Sequence, residues 1–290
     1  MTNFNCYDPA SIKKIISDRG LNVQKKYGQN FLINEKIADL ITSEIDINKN
    51  AFVAEIGCGL GSLTKKLVDR AKTFIGFEID KGYVEILNEI FSTNNNFQLI
   101  EGNFLKKSKP IFRDVKEDLY EKKILVGNLP YNLTREIFEY IFSGEFVFDK
   151  VYFMIQKEVL KKITASPGDE RYSYMSIISQ INKDINEITH LSKNDFYPSP
   201  EVDSVFVSFI KNEKIKILNK KLFFRIAKSI FINRRKKIIN NFKLSPFLNE
   251  TEKYNVEKTL FKVDISPDAR GETLSLQQIA DFSNNLYPNV

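Results

Sequence analysis

The residues from Asn128 to Tyr131 form the pattern in this chain that is best suited to chemistry. They follow the apolar run 124–126, and Pro130 ends that run because proline cannot donate to a sheet ladder. The side-chain oxygen of Asn128 and the carbonyl of Leu129 are two hydrogen-bond acceptors, and the ring of Tyr131 is a flat apolar surface. Such a group could hold a heterocycle with an exocyclic amine. The same four residues also make an ordinary strand-ending turn, since Asn and Pro are common in turns.

A glycine-rich turn, Gly57-x-Gly59-x-Gly61, is the second candidate site. It follows a short β-type run at 52–56, and glycines let a backbone approach a ligand closely. Glu78 ends the next predicted strand, where its carboxylate could accept both hydroxyls of a ribose. A nicotinamide dehydrogenase is disfavoured, because its glycine spacing is G-x-G-x-x-G. Glu55, just before the turn, is either a ligand or a strand-end cap or ion pair.

Strands and helices must alternate to position these residues. Apolar β-type runs at 52–56, 74–80, 97–100, 124–126 and 151–155 are separated by segments with helical spacing. This pattern predicts an α/β fold, an open parallel sheet with helices on both faces. Ligands of such sheets bind outside the carboxyl ends of the strands, which is where the candidate residues occur.

Together these features predict methylation of an amino group by S-adenosylmethionine. The 6-amino group of adenine is a poor nucleophile because its lone pair is delocalised into the ring, and two acceptors would return electron density to nitrogen. The sulfonium is already activated, so alignment supplies much of the acceleration. Phe196, beside Pro198 and Pro200, could cover the second face of the base, which must first be flipped out of its stack.

Composition excludes several other kinds of site. His190 is the single histidine, so nucleophilic systems that need an imidazole and histidine-rich metal sites are disfavoured, and we expect no metal. Cys6 and Cys58 have no metal-ligand spacing, which favours a reduced, cytoplasmic setting. No apolar run reaches the length of a membrane span, and residues 1–8 lack a signal-peptide pattern.

Basic residues are concentrated near the C-terminus. Residues 1–210 contain 27 Lys and Arg against 29 Asp and Glu, whereas residues 211–243 contain 12 basic residues and one acidic residue. The run Arg234-Arg235-Lys236-Lys237 lies within this block. A solvated helix face is the ordinary explanation of such a run, but its place in a basic block favours contact with a polyanion.

Seven motifs together resemble the bacterial small-subunit (16S) rRNA adenine dimethyltransferases, the KsgA/RsmA family. The resemblance covers residues 20 to 287. The motifs are Lys26-Tyr27-Gly28-Gln29-Asn30-Phe31-Leu32, Glu55-Ile56-Gly57-Cys58-Gly59-Leu60-Gly61, Gly127-Asn128-Leu129-Pro130-Tyr131, Phe153-Met154-Ile155-Gln156-Lys157-Glu158-Val159, Phe196-x-Pro198-x-Pro200-Glu201-Val202-Asp203-Ser204, Asn233-Arg234-Arg235-Lys236-Lys237 and Arg270-Gly271-Glu272-Thr273-Leu274.

The resemblance implies an enzyme that places two methyl groups on each of two adjacent adenosines near the 3′ end of 16S rRNA, late in small-subunit assembly. It implies a Rossmann-like methyltransferase sheet and a small all-α C-terminal domain. We therefore divide the chain into an N-terminal arm (1–24), a methyltransferase domain (25–210) and a basic helical rRNA-binding domain (211–290), and expect a monomer.

The resemblance also assigns residues. The S-adenosylmethionine site would be lined by Asn30, Leu32, Gly57, Gly59, Glu78, Asn103 and Asn128. The target amine would be held by Asn128 and the Leu129 carbonyl, with Pro130 ending the strand and Tyr131 and Phe196 flanking the base. The rRNA phosphates would be contacted by Arg234, Arg235, Lys236 and Lys237.

Three departures from the family pattern stand out. Asn103 replaces a usual Asp that accepts from the adenine of the cofactor, so we expect binding to survive but to weaken. Cys58 stands where Pro is common, and Gly271 replaces a usual Ala.

Two alternatives remain beside this assignment. A sister class that modifies large-subunit rRNA usually has Asn-Ile-Pro-Tyr where this chain has Asn128-Leu129-Pro130-Tyr131. A non-catalytic assembly factor would bind immature small subunits without transferring methyl groups.

Overall fold

The computed structural model describes residues 4–24, 27–144 and 146–287, apart from the side chain of Glu117. Lys26, which begins the first motif quoted above, lies outside the described residues together with its neighbour Lys25. Within the described ranges, no helix is long and apolar enough to cross a membrane.

Strands and helices alternate through the first two thirds of the chain, as the apolar pattern predicts. The strands are β1 (Phe31–Leu32), β2 (Ala51–Ile56), β3 (Thr73–Glu78), β4 (Phe97–Glu101), β5 (Lys122–Asn128), β6 (Lys150–Gln156), β7 (Lys183–Leu191), β8 (Phe196–Tyr197) and β9 (Ser204–Lys211). The helices are α1 (Pro9–Asp18), α2 (Glu35–Glu44), α3 (Thr64–Leu67), α4 (Lys81–Ile90), α5 (Phe104–Arg113), α6 (Thr134–Phe142), α7 (Lys157–Ile163), α8 (Tyr174–Gln180), α9 (Lys220–Ile230), α10 (Ile238–Lys243), α11 (Glu250–Lys262) and α12 (Leu276–Leu286).

Seven strands form the main sheet in the order β4-β3-β2-β5-β6-β9-β7. The first five are parallel to one another, and β9 pairs antiparallel with β6. Dinucleotide-binding folds have six strands in the order 3-2-1-4-5-6, without an antiparallel strand inserted in this way. The strand order and the glycine spacing therefore both argue against a nicotinamide dehydrogenase. The strand order reverses at β2 and β5, so ligands are expected at the carboxyl ends of these two strands.

Apolar burial explains why these strands lie inside the sheet. All six residues of β2 are buried, as is the 124–127 stretch of β5, because helices cover both faces. β9 is buried from Ser204 through Phe209. Its place between β6 and β7 pairs both of its edges, and the continuous burial shows that both of its faces are packed as well.

Polar caps begin several of the helices. Asn34 caps α2, since its Oδ1 accepts the Ile37 N–H at 3.2 Å. The helix faces the core with Ala38 and Ile41, whereas Leu40 is 45% exposed.

The chain divides into two compact units, and each is discontinuous in sequence. The first comprises Met1–Ile137, Phe146–Lys157 and Ile185–Lys211, and the second comprises Phe138–Glu145, Glu158–Asp184 and Asn212–Val290. The last division between the units falls after Lys211, one residue beyond the boundary at 210 that the sequence predicts. The structure differs from the predicted domains in two respects: residues 158–184 belong to the second unit, and the N-terminal arm is part of the first.

Candidate active site

A cleft opens at the carboxyl ends of β2, β3 and β5, within the first unit. The structure brings most of the predicted site residues to its walls. Those among its lining are Asn30, Leu32, Gly57, Gly59, Glu78, Asn103, Asn128 and Pro130. Leu129, Tyr131 and Phe196 are not among the lining residues.

The glycine turn forms the floor of this cleft. Gly57, Gly59 and Gly61 have φ values of +72°, +57° and +84°, a backbone conformation that residues with a Cβ rarely adopt. The N–H groups of Gly57 and Cys58 donate to the Phe77 carbonyl at 2.8 and 3.2 Å. This pairing holds the turn against the end of β3 and leaves a surface without bulky side chains.

Glu78 is fixed at the end of β3 by backbone donors. Its Oε2 accepts the Gly59 N–H at 2.8 Å, and its Oε1 accepts the N–H groups of Ile79 and Asp80 at 2.8 and 2.9 Å. Burial raises the pKa of this carboxyl, and the three N–H donors oppose that rise by stabilising the ionised form. A carboxylate held in this way can still accept ribose hydroxyls, because its oxygens have lone pairs beyond those used. The glycine turn and Glu78 therefore suit the nucleoside part of S-adenosylmethionine.

Glu55 is a buried residue in the lining of the cleft. Its side chain is 1% exposed, and its Oε2 accepts the Thr64 hydroxyl at 2.6 Å. Burial raises the pKa of the Glu55 carboxyl to about 8, although the Thr64 hydrogen bond lowers it. A carboxyl in these surroundings lines the cleft and is not an exposed ion pair.

Asn128 has a defined orientation at the end of β5. Its Nδ2 donates to the Asn30 carbonyl at 2.8 Å. Because a carbonyl oxygen can only accept, this contact identifies the amide nitrogen and leaves Oδ1 as the acceptor on the other side. The Leu129 N–H donates to the Met154 carbonyl at 3.2 Å, which anchors the strand end to β6. The acceptor predicted from sequence is therefore present and held by the backbone.

Tyr131 follows the strand end and is half-buried. Its hydroxyl shares a hydrogen bond of 2.7 Å with the hydroxyl of Ser204, the first residue of β9. Burial raises the pKa of the Tyr131 hydroxyl, so it stays protonated. The ring is tethered beside the strand end, next to the cleft-lining Pro130.

The position of Phe196 differs from the prediction that its ring covers one face of the base. Its side chain is 2% exposed and belongs to the same buried cluster as Phe31 and Leu32. The reason is the short antiparallel pairing of β8 with β1, which sets Phe196 opposite Leu32. In this conformation Phe196 has no open face, and it would have to leave the core to flank a base.

Asn103 caps the helix that follows β4. Its Oδ1 accepts the Leu105 N–H at 2.9 Å at the start of α5. Sequence reasoning treated this oxygen as an acceptor for the cofactor and did not anticipate its capping role. A carboxamide oxygen can accept two hydrogen bonds, so capping leaves one position for a ligand.

The basic run 234–237 lies in the second unit, in the turn between α9 and α10 and not on a helix face. Arg234 donates to the carbonyls of Asp169, at 2.8 Å, and Glu170. Lys237 pairs with Asp268 at 2.9 Å. Arg234 is the partly buried member of the run, whereas the side chains of Arg235, Lys236 and Lys237 are exposed. Because Lys237 pairs with an exposed carboxylate, Arg235 and Lys236 are the two exposed cations of the run for which we describe no partner within the protein.

Gln29 and Thr64 are site residues that sequence reasoning missed. Gln29 lines the cleft and donates from Nε2 to Asp80 Oδ2 at 3.1 Å. Gln29 lies in a quoted motif, but nothing in the sequence indicates its distant partner. Thr64 offers no signal at all, since a threonine at the start of a helix is ordinary. Within the described residues, no group of three or more His, Cys, Asp or Glu is gathered to hold a metal ion.

Comparisons with known proteins agree with this geometry. Residues 20–286 match the family described as ribosomal RNA adenine dimethylase. The chain is 34% identical over 284 residues to ribosomal RNA small subunit methyltransferase A of Borreliella burgdorferi, covering 98% of this chain and 96% of that protein. It is 35% identical over 277 residues to the protein of the same name from Clostridium botulinum, covering 95% and 98%.

The fold is also similar to that of a solved structure. The crystal structure of a dimethyladenosine transferase from Plasmodium falciparum aligns with a TM-score of 0.70 at 24% identity, covering 86% of this chain and 94% of that chain. This likeness supports the fold, and the matches in sequence carry the assignment. The chain belongs to the ribosomal RNA adenine dimethylase family.

Proposed function

We propose that this chain transfers methyl groups from S-adenosylmethionine to the 6-amino groups of two adjacent adenosines near the 3′ end of 16S rRNA, late in small-subunit assembly. Membership of the family supports rRNA adenine dimethylation as the reaction. The observation that carries the proposal is the oriented Asn128 amide, whose nitrogen is bound to Asn30 and whose oxygen is therefore the acceptor at the cleft.

The residues around the cleft have distinct parts in this proposal. The Asn128 oxygen and the Leu129 carbonyl accept the hydrogens of the adenine amine and direct its lone pair. Tyr131 lies against the flipped base, and its hydroxyl contact with Ser204 fixes the ring. Attack of the amine on the methyl group breaks the sulfur–methyl bond and leaves a positively charged nitrogen, whose proton is acidic enough to pass to water, so the site needs no strong base and no imidazole. Positioning by fixed groups supplies the acceleration.

The proposed cofactor site is formed by residues that line the same cleft. S-adenosylmethionine, when bound, supplies a methyl group on a positively charged sulfur, and S-adenosylhomocysteine is left as product. Glu78 would accept the ribose hydroxyls, the turn from Gly57 to Gly61 would let the backbone come close, and Asn103 would face the adenine. Asn30 and Leu32 complete this wall of the cleft.

Phosphate contacts would come from the exposed Arg235 and Lys236, which position rRNA without reading its sequence. Arg234 would support them by holding the backbone of residues 169 and 170, and Lys237 is exposed beside them in its ion pair with Asp268. We further propose that the chain acts as a cytoplasmic monomer on the small ribosomal subunit.

The test is transfer of labelled methyl from S-adenosylmethionine to small subunits that lack the modification, followed by nuclease digestion and nucleoside analysis. We expect dimethyladenosine at two adjacent positions, and no label in isolated large subunits. Label in large subunits alone would instead assign the chain to the sister class. Tight binding to small subunits without transfer would favour a non-catalytic assembly factor.

A further inference from the structure

The N-terminal segment, residues 5–24, is packed into the core of the first unit. The sequence predicts a peripheral arm, but Ile12, Ile15 and Ile16 of α1 are between 0 and 9% exposed. They belong to the same buried cluster as Leu63, which follows the glycine turn, and Leu87 of α4. The segment is therefore continuous with the core that surrounds the cleft.

Tyr7, just before α1, contacts the glycine turn. Its hydroxyl donates to the Ser62 carbonyl at 2.5 Å, and Ser62 lines the cleft next to Gly61. The Tyr7 side chain is buried, and the Lys66 ammonium lies 5.0 Å from the centre of its ring. Burial raises the pKa of the Tyr7 hydroxyl, so it keeps its proton and remains a donor at physiological pH.

The other end of the segment reaches the part of the cleft that includes Gln29 and Glu78. The Gln24 N–H donates to Gln29 Oε1 at 2.6 Å, and Gln29 Nε2 donates to Asp80 Oδ2 at 3.1 Å. The Asp80 N–H in turn donates to Glu78 Oε1 at 2.9 Å. A continuous series of hydrogen bonds thus joins residue 24 to the carboxylate that suits a ribose.

We propose that residues 5–24 are a strap that holds the lining of the cofactor cleft at two places, at Ser62 and at Gln29, and that Tyr7 is a positioning residue for S-adenosylmethionine. Without the Tyr7 hydroxyl, the Ser62 carbonyl loses its donor and the turn at 61–63 becomes more mobile. The ligand must then order this turn as it binds, which weakens its affinity. The inference rests on the proposed function, since it takes S-adenosylmethionine as the ligand.

The test compares Tyr7→Phe with the unchanged full chain. Calorimetric titration with S-adenosylmethionine, without RNA, should show the Kd rising about 5-fold, the size expected for one lost hydrogen bond. The rate of methyl transfer at saturating S-adenosylmethionine should change by less than about twofold, since Tyr7 touches no reacting atom.

A matched control separates positioning from stability. Ile12→Val removes one methylene from the same strap but leaves the Tyr7 hydrogen bond intact. It should lower the melting temperature by about as much as Tyr7→Phe does. Its Kd should equal that of the unchanged chain. Equal weakening in both variants, or a Tyr7→Phe Kd within twofold of the unchanged chain, would overturn the role of Tyr7.

Amide exchange tests the strap without any ligand. Residues 61–63 should exchange faster in Tyr7→Phe than in the unchanged chain, and unchanged exchange there would overturn the strap. If the unchanged chain did not bind S-adenosylmethionine at all, the proposed function would fail, while the exchange result would still decide whether Tyr7 holds the turn.

Discussion

At the scale of single residues, the site depends on polar side chains whose orientation is set by the backbone. Asn128 donates to a carbonyl, and Glu78 accepts from three N–H groups. Each of these groups is held before any ligand arrives, which reduces the ordering that binding requires. Substitutions at these positions should therefore change chemistry more than folding.

Asn128→Ala should lower methyl transfer by at least about 100-fold, the usual effect of removing one preorganised polar contact to a reacting group. Transfer at saturating S-adenosylmethionine measures the chemistry, and cosedimentation with small subunits measures binding, which should remain. Asn95→Ala, in an exposed loop, is the control and should behave as the unchanged chain. Loss of binding together with transfer would instead assign the strand end a structural role.

Glu55→Gln should change how stability depends on pH. Burial raises the pKa of Glu55 from 4.5 to about 8 in the folded chain, so the fold favours the protonated carboxyl. The stability that this group contributes is fully present below pH 4.5, falls as pH rises, and is lost through about pH 8. Glutamine stays neutral and can still accept from Thr64, so the variant should lack this decline.

Thermal melting from pH 5 to pH 9 checks the Glu55 prediction. The melting temperature of Glu55→Gln should exceed that of the unchanged chain at pH 9 by on the order of 5 °C, and the two should converge toward pH 5. Glu257→Gln, on an exposed face of α11, should run parallel to the unchanged chain. Parallel curves for all three proteins would mean that Glu55 is ionised at little cost.

At the scale of elements, helix starts and strand ends meet at the cleft and share residues. Asn103 illustrates this, because one side chain caps α5 and lines the cofactor cleft. If Asn103 also binds the ligand, its single oxygen must serve both the cap and the ligand, whereas the carboxylate of an Asp would offer one oxygen for each.

Asn103→Asp should therefore tighten S-adenosylmethionine binding by about threefold, which is well within the free energy of one charge-assisted hydrogen bond. It should also raise the melting temperature slightly, since a negative charge at a helix N-terminus is favourable. Calorimetric titration and thermal melting measure the two effects. Asn95→Asp adds the same charge on an exposed loop and should change neither S-adenosylmethionine binding nor the melting temperature. Weaker binding by Asn103→Asp would mean that the Asn103 amide nitrogen is a donor to the ligand.

At the scale of the whole molecule, charge and structure divide the chain in similar places. The basic block 211–243 lies mostly in the second unit, and the cofactor cleft lies in the first. Only part of the basic run is exposed, however, because Arg234 holds the backbone of residues 169 and 170. Net charge therefore overstates the number of cations available for phosphates.

Replacing both Arg235 and Lys236 with alanine should reduce the slope of log affinity for small subunits against log salt by about 1.4 to 1.8, since each phosphate contact contributes about 0.7 to 0.9. The melting temperature of this double variant should stay unchanged. Arg234→Ala should do the reverse, with a lower melting temperature and a nearly unchanged slope. A fall in slope for Arg234→Ala as large as for the double variant would show that Arg234 also contacts phosphate.

The sequence by itself determined the alternating strands, the position of the cleft at strand ends and the glycine turn, while the role of Asn128 and the Leu129 carbonyl as acceptors stays a prediction. These features are local, because apolar period, glycine spacing and proline act on neighbouring residues. Tertiary structure decided which side chains are exposed and which are already engaged by other parts of the protein. It buried Phe196 by pairing β8 with β1, engaged Arg234 with a distant loop, and joined Tyr7 to the cofactor wall. Each of these contacts links residues far apart in the chain, and pairings of that kind depend on which surfaces meet after the elements have formed.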